Sequence, residues 1–172
     1  APMPRLKYAL SVVACAFACL SGLKAEEKEF AIPYDELRAA AKDYLDACAT
    51  PKDVEALAKK LKQQVETKAN DTGMDEDRAM REIMLDWAAG NEGKIRRKEP
   101  KAIRQAAYYF IRFIDKGFLM PWQIRQNLNA ENTKKILDFL REEVQKARGG
   151  GKSADESEKT SADGKRKDKK GK

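Results

Sequence analysis

The stretch "KAIRQAAYYFIRFIDK", residues 101–116, constrains the fold more than any other part of the chain. At helical spacing Ile103, Ala107, Phe110, Ile111 and Ile114 make one face, and Ala102, Ala106, Tyr109 and Phe113 widen it. Only Lys101, Arg104, Gln105, Tyr108, Arg112 and Asp115 remain as a polar stripe. A helix this apolar needs neighbours on more than one side, so it is expected at the centre of a bundle, stopped by Gly117.

The neighbours can be read on either side. "YDELRAAAKDYLDACA" puts Leu37, Ala41, Tyr44, Leu45 and Cys48 on one stripe. In "TPKDVEALAKKLKQQVETK", Thr50 is an N-cap, Pro51 takes the first helical position and Asp53 the third, a variant of the capping box. Val54, Leu57, Leu61 and Val65 are its buried stripe. "NDTG" breaks the chain, and Asp75, Glu76 and Asp77 open a third helix, where carboxylates suit the positive end of the dipole. Its expected inner face is Met80, Ile83, Met84 and Trp87, and Gly90 and Gly93 end it.

Beyond the central helix, Pro121 starts a short helix carrying Trp122, Ile124 and Leu128. Asn129 caps a final one in which Ile136, Leu137, Leu140 and Val144 keep helical spacing. The fold class is therefore all-α, a small bundle of about five helices. It occupies one domain, residues 26–148. The balance of 37% charged against 42% hydrophobic residues suits a modest core of this kind.

The two ends read differently. Arg5 and Lys7 precede the apolar run "YALSVVACAFACLSG" at residues 8–22, and a small, polar segment follows. That order is the layout of an export leader, assigned to residues 1–25. The run is shorter than the roughly 20 residues needed to span a bilayer. Cleavage after Ser21 or Ala25 is the first reading, and lipid attachment at Cys15 or Cys19 the second. Export places the protein in the periplasm or outside the cell, with a lipid-anchored form as the alternative. Residues 149–172 hold nothing more apolar than alanine and are expected to be a disordered, Lys-rich tail.

The chain contains no histidine. Ser-His-Asp and Cys-His relays are thereby excluded, as are the common zinc sites that draw on His. Loss of the leader would leave Cys48 without an intramolecular disulfide partner, and its place on an apolar stripe reads as a small buried hydrophobe. "DTGMDEDRAMRE", residues 71–82, has the length of a calcium loop, but Glu76 stands where a turn-tolerant residue is needed and Gly73 brings no ligand. Capping acids with Asp77–Arg81 and Arg78–Glu82 pairs explain it better. Glu82 and Asp86 share a helix face without a substrate groove beside them. No phosphate-binding glycine loop is present. Catalytic, cofactor-binding and metal-ligating residues are therefore assigned to none of these.

One cluster does suggest contact with a partner. Arg96, Arg97, Lys98, Lys101 and Arg104 concentrate positive charge, and Tyr108 and Arg112 continue it along the central helix. Such a surface fits an acidic protein or an anionic membrane. It also fits phosphates, but export argues against nucleic acid. Net charge is modest: +7 falls to +4 once Arg5, Lys7 and Lys24 leave with the leader. The expectation is an exported, non-enzymatic binding or assembly module of the cell envelope. A periplasmic holdase chaperone is the alternative, and an enzyme built on carboxylates or Lys a distant third.

Overall fold

A computed structural model describes residues 30–149. The assignments to the leader and to the tail from residue 150 onward lie outside them.

Seven helices and no strand occur among the described residues: α1 (Tyr34–Cys48), α2 (Pro51–Thr72), α3 (Glu76–Gly90), α4 (Glu92–Arg96), α5 (Pro100–Asp115), α6 (Trp122–Asn127) and α7 (Ala130–Gly149). The protein is all-α, as the stripes predict. The additional short element is α4, which forms across Gly93 where the sequence suggests only a break.

Local chemistry sets the boundaries. Thr50 and Asp53 form the full capping box: each side chain takes up the other's backbone N–H. Gly73 ends α2 at φ 66, a left-handed position that costs glycine little. Asp75 caps α3 by accepting from the amides of Asp77 and Arg78. Pro100 fills the first position of α5. At the far end of α5, Gly117 N–H bonds Ile114 O and Phe118 N–H bonds Phe113 O, a Schellman closure with Gly117 at φ 68. The usual apolar contact accompanies it, with the Phe113 and Phe118 rings edge-to-face at 5.3 Å. Asn129 caps α7 through Asn132 N–H.

α1 and α3 run antiparallel to α5. Arg38 near the start of α1 holds Asp115 at the end of α5, while Arg104 near the start of α5 reaches the carbonyl of Cys48 at the end of α1. α2 and α3 form a hairpin about Gly73, joined by Lys68 to Glu82 at 3.1 Å. α3 returns along α5, with Trp87 edge-to-face on Tyr109 at 5.1 Å and Asp77 bonded to Lys116. α7 packs along α1 and buries Ile136, Leu137, Leu140 and Val144.

Two expected faces are corrected. In α3 the fully buried residues are Ala79, Met84, Leu85 and Ala88; Met80, Ile83 and Trp87 lie half-buried at the edge of the core. The small Ala79 and Ala88 side chains let neighbouring backbones come close, which favours that side over the bulkier one. In α5 the polar stripe does not face water throughout. Gln105 and Tyr108 are buried, and Gln105 is satisfied there because its Nε2 donates to the Tyr109 hydroxyl at 3.0 Å inside the bundle. Met120, Ile124 and Leu128 complete the core from the α5–α6 connection and α6 and wall an apolar cavity of about 60 Å³ with Leu37, Ile103 and Leu140.

Candidate interaction surface

The basic residues fall into two groups that the sequence does not distinguish. Arg96, Arg97, Lys98 and Lys101 are exposed, with Lys94 beside them, on α4 and the turn into α5. Arg104, Tyr108 and Arg112 lie further along α5, in the seam facing α1. Tyr108 is buried, and burial raises its pKa against the opposing charge of Arg112. Arg104 is half-buried, with its guanidinium 3.5 Å from the last carbonyl of α1, where a cation suits the negative end of that helix. Arg112 is half-buried, and its Nε, withdrawn from water, has no hydrogen-bond partner.

The exposed group sits on a tightly built corner. Lys98 N–H bonds Ile95 O and Glu99 N–H bonds Lys94 O, a second Schellman closure. Here the left-handed position, usually Gly, is Lys98 at φ 55, the one positive-φ residue other than glycine among the described residues. A side chain at such a position costs about 1 kcal/mol. The ammonium offsets part of this by lying 4.8 Å from the centre of the Phe139 ring. Two of the cations carry acidic partners: Arg96 pairs with Glu92, and Arg97 holds Glu99 through two nitrogens at 2.9 and 3.1 Å. Such exposed pairs are screened and leave the guanidinium able to exchange partners at little cost.

The other candidates resolve into structural roles. Lys68 reaches both Glu82 and Asp86, at 3.1 and 3.8 Å, so the two carboxylates tie α2 to α3. The hydrogen bond from Lys68 holds the Glu82 carboxyl below its usual range. The acids of residues 71–82 diverge: Asp75 caps α3, Asp77 pairs with Lys116 rather than with Arg81, and Glu82 meets Arg78. No group of three or more candidate ligands for a metal occurs among the described residues. Cys48 is half-buried with its thiol 3.7 Å from Glu143 O; burial and the Glu143 charge push its pKa up, away from a reactive thiolate.

Sequence reasoning passed over one surface feature. Leu119 and Trp122, read only as parts of a connection and a short helix, stand out in solvent at 83% and 59% exposure. "FLMPW" is apolar throughout and gives no sign of which members turn outward: Phe118 and Met120 face the core while Leu119 and Trp122 do not. The chain matches no family model, no curated protein and no solved structure.

Proposed function

We propose that the chain is an exported, non-enzymatic helical module of the cell envelope that works by binding an acidic protein surface. The observation that carries this reading is the α4–α5 corner, where Lys94, Arg96, Arg97, Lys98 and Lys101 are all exposed on a hydrogen-bonded frame. A hydrogen-bonded backbone frame has little freedom to lose on meeting a complementary surface, and charge complementarity raises the association rate and sets specificity. Tyr108 is buried, and Arg104 and Arg112 are half-buried in the helix seam, so the contact falls to Arg96, Arg97, Lys98 and Lys101. Export rests on the order of basic, apolar and small polar residues at the start of the chain.

The test is a triple charge reversal, Arg96→Glu, Arg97→Glu and Lys101→Glu, compared with wild type in pull-downs from envelope extracts. Loss of a stoichiometric partner with an unchanged circular-dichroism melt is the expected result. Unchanged partners would refute the surface, and suppression of client aggregation by wild type and variant alike would favour the holdase reading instead. Intact-mass measurement of the native protein tests export separately, by reporting removal through Ser21 or Ala25, or an acylated cysteine.

A further inference from the structure

Large apolar side chains in solvent are few among the described residues: Leu119, Trp122 and Phe30, the last at 42% exposure. All three come from segments that the bundle gathers at one end. The Arg38–Asp115 pair sets the start of α1 beside the end of α5, so residue 30, ahead of α1, and residues 116–122, after α5, leave the bundle together. α3 starts there too, since Asp77 bonds Lys116 at 2.9 Å and Arg81 donates to Leu119 O at 3.2 Å.

The corner is fixed from behind. Gly117 closes α5, Phe118 packs on Phe113, Arg81 stacks 6.0 Å from the Phe113 ring, and Met120 and Ile124 face the core. Leu119 and Trp122 therefore project into solvent from a braced corner. Cations surround them: Arg81 and Lys116 on one side, and Arg125 one helical turn beyond Trp122. Arg125 also lies close enough to Tyr34 for its charge to act on the phenol. Two acids border the loop, and both are paired: Asp77 with Lys116 and Asp115 with Arg38.

We propose that this corner inserts Leu119 and Trp122 into the headgroup–acyl boundary of an anionic lipid bilayer, with Arg81, Lys116 and Arg125 against the headgroups. Tryptophan suits that boundary because its ring is apolar and its N–H is polar, and basic side chains beside an inserted residue gain from anionic lipid. Contact at the surface, about 5–10 Å deep, is what two protruding residues can reach. No helix among the described residues is long and apolar enough to cross a membrane. The proposal does not depend on the acidic-partner reading, because the basic α4–α5 corner lies at the other end of α5, about 24 Å away at helical rise.

The test uses the full chain with Trp87→Phe, which leaves Trp122 as the only tryptophan of the two. The apolar run at residues 8–22 gives lipid a second route, so the readout is taken at Trp122 itself. With vesicles of phosphatidylcholine and phosphatidylglycerol, Trp122 emission should move to the blue and be quenched by lipid brominated near the headgroup. Leu119→Ser should lower the quenched fraction about tenfold at equal lipid. The Arg96→Glu, Arg97→Glu pair should leave it unchanged. An unshifted, unquenched Trp122 would overturn the proposal. So would quenching indifferent to Leu119→Ser, quenching abolished by reversal at Arg96 and Arg97, or sedimentation in which Leu119→Ser breaks a dimer of the chain.

Discussion

Lys98 illustrates how a single residue can work against its own backbone. It occupies the left-handed position that ends α4, where glycine would cost least, and it recovers part of that cost against the Phe139 ring. Truncation to alanine keeps the strain and removes the ring contact, whereas glycine removes both. Lys98→Gly should therefore be more stable than Lys98→Ala by about 1 kcal/mol, measured by urea unfolding of the two variants. Equal midpoints would mean that the turn relaxes out of the left-handed region. Nothing in the sequence marks this position, because "IRRKEP" carries no glycine or asparagine to announce a left-handed turn.

The helices themselves were legible wherever their determinants are local. Thr50, Pro51 and Asp53 specify the start of α2 by contacts within a few residues, and the structure forms the complete box. Thr50→Ala removes the side chain that accepts from Asp53 N–H and should cost about 1 kcal/mol, seen as a lower melting temperature with an unchanged fold by circular dichroism. Loss of much less would show that water replaces the cap. The faces of α3 and α5 were less legible, for a physical reason. Hydrophobic period identifies a broad apolar arc, but which side of it is buried deepest depends on the partner's contour. In α3 that is settled by Ala79 and Ala88, and in α5 by the seam with α1 that takes in Tyr108 and by the bond that ties Gln105 to Tyr109 beside Trp87. The same limit divided the basic stretch: Arg96 and Arg104 look alike in sequence, yet one lies in solvent and the other under the last carbonyl of α1.

Across the whole molecule, α5 joins two ends of different character, a basic corner at its start and an apolar corner just beyond its finish. Between them lies a core that holds ionisable phenols out of water. Burial pushes the Tyr44 phenol up to about 12, with further upward pressure from Cys48, an opposing effect of Arg104 and a lesser upward one from Glu143. Tyr109 is raised by burial, against the hydrogen bond from Gln105. The sign of the linkage follows. A phenol whose folded pKa exceeds its unfolded value of about 10 keeps its proton longer in the native state, so its stabilisation is complete below that value and disappears as pH rises through the folded pKa. Tyr44 alone would account for about 2–3 kcal/mol lost across this window, by the conversion of about 1.4 kcal/mol per pKa step. The bundle should therefore hold its ellipticity to about pH 10 and then unfold steeply, with tyrosinate absorbance rising together with the loss of helix. Tyr44→Phe should delay that transition, because the apolar ring is kept and the titrating hydroxyl is gone. Tyrosinate appearing well before the helix melts would show instead that the Tyr44 hydroxyl meets water in the native bundle.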